Sequence, residues 1–207
     1  MRPFVHVNCA MSADGKIAGI NRKQVKISSE EDMVRARDLR KKYDAVVVGV
    51  GTIIADDPHL TIKDATFYKN PIRIVVDPNG RTPKDALVTD ERAPTVILTN
   101  DECTEEWKNA DTVKCGSPFS LPVAMEKLSE LGVESLLVEG GGETISHFFR
   151  NGFVDKYSVF VGALMIGGRG APTPADGEGW IGENGLTLKL KSAKVLGSGV
   201  LITYDVK

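Results

Sequence analysis

Four unbroken apolar runs constrain this chain more than any other feature: "DAVVVGVG" from Asp44, "PIRIVVD" from Pro71, "APTVILTN" from Ala93 and "ESLLVEGG" from Glu134. A strand with one wet face alternates apolar and polar residues. A run without alternation has both faces covered, as in a parallel sheet packed between helices. Helical stretches lie between these runs. The clearest is Ser120 to Leu131, with Leu121, Ala124, Leu128 and Leu131 on one face and Gly132 placed as its stop. An earlier helix in "KISSEEDMVRARDLRKKYD" opens on a capping box, Ser28 with Glu31. Buried strands alternating with helices predict a mainly parallel α/β sheet with right-handed crossovers.

The two ends complete the pattern. Phe4 to Val7 is a short strand that runs into a loop turned at Asp14-Gly15. The tail "LTLKLKSAKVLGSGVLITYDV" predicts two strands joined around Gly197 to Gly199, an antiparallel pair at the sheet edge. Before it, Gly167 to Gly185 is rich in glycine and proline and too long for a tight connection, which suggests a functional loop or a subunit contact. With 207 residues, 42% of them hydrophobic, the chain suits one domain over 1–207.

Charge and cysteine usage exclude several classes. Twenty-six basic against 28 acidic residues give a net charge of −2, without the basic footprint of a nucleic-acid-binding domain. No stretch approaches the ~20 apolar residues of a membrane span. Cys9, Cys103 and Cys115 are odd in number and lack CxxC spacing, so they read as reduced thiols of a soluble cytoplasmic protein. No His/Cys/Asp pattern supports a metal site, and His59 and His147 have no partner visible in the sequence.

Chemistry concentrates where buried strands end. In "SLLVEGGGETISHFFRNG" a strand runs into Gly140, Gly141 and Gly142 and then a helix, the junction at which α/β sheets place phosphates. Thr144 can cap that helix or donate to a phosphate oxygen. A tight turn that needs glycine for its backbone angles is the alternative. The run is not GxGxxG and comes late in the chain, so a Rossmann domain is not indicated. "GVGTIIADDPHLT" is a second glycine-bearing exit, and its Asp56 and Asp57 suit ribose hydroxyls, a polar ring, a metal or an ordinary loop start. Lys16 in "MSADGKIAG" reads as a solvated turn lysine when taken alone. Arg40 and Lys63 are possible counter-charges for a substrate phosphate.

"NCAMSADGKIA", "DAVVVGVGTIIADDPHLT", "PIRIVVDPNGR" and "LLVEGGGETISHFF", followed by "VDKYSVFVGALMIGGRGAPT", together resemble the riboflavin-biosynthesis reductases of dihydrofolate reductase-like fold, over nearly the whole chain. The resemblance implies a mostly parallel central sheet flanked by helices with an antiparallel C-terminal edge. It also implies a homodimeric, NADPH-dependent reductase of a phosphorylated pyrimidine riboside. The HxE and PCxxC signature of an accompanying deaminase is missing from the chain. That favours the stand-alone type, which reduces 2,5-diamino-6-ribosylamino-4(3H)-pyrimidinone 5′-phosphate before deamination; the deaminated uracil analogue stays open, as does a non-catalytic nucleotide-binding module.

By position, the resemblance implies catalytic roles for Lys16 and Glu139, with Arg40, Leu60 and Lys63 at the substrate's ribose phosphate. It implies cofactor contacts at Ala10, Thr52, Asp56, Gly140, Gly141, Gly142, Glu143 and Thr144. NADPH over NADH requires a cation at the 2′-phosphate, for which "DPNGR" offers Arg81, with Asn100 as a second polar candidate.

Overall fold

The computed structural model describes residues 1–62, 65–180 and 185–206. Nine strands form one sheet: β1 (Phe4–Ser12), β2 (Ala45–Gly49), β3 (Ile72–Val76), β4 (Thr95–Thr99), β5 (Asp111–Lys114), β6 (Ser135–Gly140), β7 (Lys156–Gly162), β8 (Leu188–Leu196) and β9 (Gly199–Val206). Their spatial order is β5-β4-β3-β2-β6-β1-β7-β9-β8. Strands β1 to β7 pair in parallel throughout, whereas β9 runs antiparallel to both β7 and β8. This is the mostly parallel sheet with an antiparallel C-terminal edge that the sequence predicts.

Among the described residues, four α-helices cover it: α1 (Glu30–Leu39), α2 (Val50–Asp56), α3 (Leu121–Glu130) and α4 (Gly142–Arg150). Because successive side chains of a strand point to opposite faces, the core divides in two. Val5, Val7, Ala45, Val47 and Val138 pack with Leu121, Ala124, Leu128, Ile145 and Phe148 of α3 and α4. Val46, Val48, Val75, Ile97 and Leu137 pack with Val50 and Ile53 of α2 and with Leu60. Burial on both faces explains why the apolar runs do not alternate.

Several sequence expectations are corrected at their boundaries. Strand β1 continues five residues beyond Val7, to Ser12. The cap of α1 is Ser29, which accepts from the Asp32 N–H, whereas the Ser28 hydroxyl donates to the Asp32 carboxylate. Leu131 lies on the open side of the α3 terminus and is 57% exposed. "VGTIIAD", to which the sequence reading assigns no element, is helical and ends at the Asp-Asp-Pro stretch, with Asp57 as its C-cap. Among the described residues, no helix is long and apolar enough to cross a membrane.

The face of β1 beneath α1 is polar. His6 contacts the Tyr43 hydroxyl at 2.6 Å and Ser158 Oγ at 2.8 Å, and Asn8 Oδ1 accepts from Arg35. Burial, reinforced by Lys156 and Arg35, depresses His6 to about 3. It is therefore a neutral core histidine. A second buried polar centre surrounds Arg73, fully enclosed on β3, which donates to Thr95 Oγ1, Asp90 Oδ1 and the carbonyls of Asp90 and Ala93. His59 joins it through Arg92, whose Nη1 lies 3.2 Å from Nε2, whereas Nδ1 stands 3.4 Å from Asp90 without a hydrogen bond.

Candidate active site at the carboxyl edge of the sheet

All seven parallel strands end on one edge. After β2 the chain proceeds outward to β3, whereas after β6 it passes β1 to reach β7, so the adjacent pair β2/β6 is a topological switch point. Ligands of open α/β sheets bind at such points, outside the carboxyl ends of the strands. Both strands leave directly into helices, α2 and α4.

The two exits interlock. A Cβ at Gly49 would stand 2.2 Å from Thr144 Oγ1, and one at Gly140 would stand 3.3 Å from Thr52 Oγ1. Gly141 caps α4 at φ +82°, a conformation that favours glycine. A Cβ at Gly142 would meet the Thr173 carbonyl oxygen at 2.2 Å. Each glycine therefore has a reason inside the fold, and the tight-turn alternative accounts for the run by itself. The consequence still favours an anion. No side chain caps α2 or α4, and the first N–H groups of both helices are left without intrahelical partners beside the Thr52 and Thr144 hydroxyls.

Glu139 sits at an irregularity. Val47 pairs with Val138 and Val48 with Gly140, so Glu139 is an extra residue bulged out of β6. Bulges beside active sites re-aim a side chain. Here the carboxylate turns to Arg40, whose Nη2 donates to Oε2 at 2.7 Å and whose Nε donates to Oε1 at 3.0 Å. Arg40 Nη1 donates to the Thr61 carbonyl at 3.0 Å. Burial is the largest influence on the guanidinium and opposes its charge, but the charge and hydrogen bonds of Glu139 prevail and leave its pKa raised. The pair is thus a fixed strut with a cationic head and little exposure, 21% and 13% for the two side chains.

Lys16 is anchored by its backbone. Its N–H donates to Ser12 Oγ and its carbonyl accepts from the Ser12 N–H, closing a turn in which Gly15 takes φ +79°. Its Nζ donates to the Ala171 carbonyl at 3.1 Å. Residues 163–177, which follow β7, form a strap without regular structure that links this turn to the start of α4. The Asp176 N–H reaches the Gly142 carbonyl, and the Asp176 carboxylate holds Thr173.

The remaining positions divide. Ala10 lies near the carboxyl end of β1, half-buried, opposite Phe160 of β7. Asp56 ends α2, where desolvation raises its carboxyl against a lowering hydrogen bond from the Gln24 backbone. The Leu60 side chain, 3% exposed, is part of the core, so only its backbone, at φ +54°, is available to a ligand. The Glu143 side chain lines an open hollow with His147, Arg150 and Asp176. Arg81 is exposed in the loop after β3, and no hydrogen bond or ion pair among the described residues joins it to the other site groups. Asn100, in the loop after β4, has its side-chain oxygen committed to the Cys103 N–H. Lys63 lies outside the described residues. The sequence marks Gly167 to Gly185 as a functional loop or subunit contact, of which residues 181–184 lie outside the described residues. "APTPADG" showed only its turn residues, with no signal that Thr173 would seat against Gly142.

Helix starts opened between paired strands, a glycine turn and hydroxyls at both exits define the class: a mostly parallel α/β fold whose switch point suits an anionic ligand. Residues 3–202 match the family described as the RibD C-terminal domain, and the chain belongs to that family of pathway reductases. It is 39% identical to the 2,5-diamino-6-ribosylamino-4(3H)-pyrimidinone 5′-phosphate reductase of Methanothermobacter thermautotrophicus across the whole of both chains. It is 37% identical to the reductase of the same name from Archaeoglobus fulgidus, with 98% of each covered. Its fold matches that of a diaminohydroxyphosphoribosylaminopyrimidine deaminase/5-amino-6-(5-phosphoribosylamino)uracil reductase from Thermotoga maritima with a TM-score of 0.85 at 26% identity. That match takes in all of this chain and 57% of the other.

Membership implies a nicotinamide cofactor, and the residues fit one. The uncapped first turns of α2 and α4 suit its pyrophosphate, with Thr52 and Thr144 as hydroxyl donors.

Proposed function

We propose that the protein reduces 2,5-diamino-6-ribosylamino-4(3H)-pyrimidinone 5′-phosphate to its ribitylamino product in riboflavin biosynthesis, with NADPH as the reductant. Relatives of that name cover the chain end to end. The observation that carries the reading is the bulged Glu139, held by Arg40 beside the glycine turn. The nicotinamide supplies the hydride; the protein's part is to hold the sugar's C1, opened to an imine or its tautomer, within ~3–3.5 Å of the donor carbon. Lys16 spends one ammonium N–H on Ala171 and keeps the others for the sugar's reacting end. Glu139, fixed in direction by Arg40, orients the sugar hydroxyls, and the guanidinium hydrogens that Glu139 and Thr61 do not use face the 5′-phosphate. Arg81 is the candidate reader of the cofactor's 2′-phosphate.

A homodimer belongs to the same proposal: β8 is the sheet edge and exposes Leu190 and Val195. A cytoplasmic setting is supported by three free cysteines. The test is loss of reduced-nicotinamide absorbance with the diaminopyrimidinone and the uracil analogue assayed in parallel, each with NADPH and NADH. Turnover of the first substrate with NADPH is the expected result. Preference for the uracil analogue would reverse the order of reduction and deamination, and binding without turnover would leave a nucleotide-binding module.

A further inference from the structure

Asp14 touches none of the groups assigned to substrate or cofactor, yet its carboxylate is fully engaged. Oδ1 accepts from the Ser12 hydroxyl at 2.6 Å and the Ile166 N–H at 3.1 Å, and Oδ2 accepts from the Gly167 N–H at 2.7 Å. Two successive backbone N–H groups of the strap thus converge on one anion. The same Ser12 hydroxyl accepts from the Lys16 N–H. On either side, the Ala13 N–H reaches the Leu164 carbonyl and the Ile17 N–H the Pro172 carbonyl, both at 2.9 Å.

The strap has no ladder of its own. Gly167 and Gly168 take φ of +72° and +85°. Its conformation therefore depends on these cross-links and on its far end, where Thr173 seats against Gly142. Of the cross-links that bind residues 12–17 to the strap, Asp14 supplies the charge-assisted ones to backbone donors, roughly twice as strong as neutral bonds. The Ser12 hydroxyl, followed by the strap's N–H groups, holds its carboxyl down at about 2, so the clamp stays ionised at any working pH.

We propose that Asp14 is a positioning residue of the reductase: it fixes the Lys16 turn to the strap and, through the strap, sets Lys16 against the cofactor turn at Gly142. This rests on the role assigned to Lys16 under the proposed function. Asparagine at position 14 would keep the shape but present a donor to one of the two strap N–H groups.

The experiment compares wild type, Asp14→Asn, Lys16→Met and the double variant by turnover, by binding of reduced cofactor alone, and by amide hydrogen exchange of residues 12–17 and 164–173. Asp14→Asn is expected to lower kcat about 10- to 100-fold while cofactor affinity stays within about threefold. In the Lys16→Met background the same change is expected to cost less than about twofold, because it acts through Lys16. Exchange should accelerate in both segments together. Undiminished kcat in Asp14→Asn, an equal loss in the Lys16→Met background, or unchanged exchange would each overturn the proposal. A wild type that leaves the diaminopyrimidinone unreduced would sink the reaction assignment instead, and the exchange comparison would still decide whether Asp14 holds the two segments.

Discussion

At the scale of single residues, the site is built by pairing charges before any ligand arrives. Arg40 and Glu139 lie far apart in sequence, and each looks solvated when read alone. The bulge in β6 and the turn after α1 bring them into bidentate contact. Removing Arg40 leaves a mostly enclosed carboxylate unpaired. Arg40→Ala is expected to cost about 2–3 kcal/mol in denaturant unfolding, below the 3–5 of a fully buried pair because both groups keep some solvent. His6 contributes to the pH dependence of stability, in the same direction as His147, which burial and Arg150 also lower. The folded pKa of His6, about 3, lies below the ordinary 6.5, so the unfolded chain binds the extra proton between these values. Stability present above pH 6.5 should fall as pH drops, by about 1.4 kcal/mol per unit at the steepest, and His6→Gln should flatten that slope. Burial raises both Cys9 and Cys115 to about 11, whereas Cys103 is half-exposed. A thiol reagent should label Cys103 quickly, and the other two only after unfolding.

At the scale of elements, the strand-to-helix exits carry the design. Gly142 begins α4 and touches the strap, so Gly142→Ala forces a Cβ against the backbone carbonyl of Thr173. The expected loss is about 2–3 kcal/mol, a fall in Tm of roughly 4–12 °C, with turnover reduced more than the fold itself requires. Sequence patterning made these exits legible because buried strands and glycine-to-helix junctions are local signals. It could not show that α2 is helical: "VGTIIAD" is short, rich in β-branched residues and glycine, and runs into Asp57-Pro58, so its propensity favours a loop. Packing of Val50 and Ile53 on the sheet decides otherwise. The misplaced cap of α1 has a similar cause, since Ser28 and Ser29 offer equivalent hydroxyl acceptors in sequence and only the approach of the Asp32 N–H to Ser29 separates them.

At the scale of the whole molecule, one edge of one sheet gathers residues from β1, β2, β6 and the strap. The strand order that does this, with β6 inserted between β1 and β2, is a long-range fact that periodicity does not contain. The class of fold was legible from four apolar runs, and the order of motifs carried the family. The buried Arg73 centre, the tie from Lys16 to Ala171 and the Asp14 clamp were not, because each joins residues whose individual chemistry is ordinary. On the proposed function, this edge transfers a hydride to a sugar carbon. The most direct measurement supplies NADPH deuterated at both nicotinamide C4 positions and locates the label in the product by mass spectrometry and NMR. Deuterium at C1 of the ribityl chain, from the diaminopyrimidinone substrate, is the result expected. An unlabelled product, or cofactor that binds without transfer to either pyrimidine, would contradict the assignment.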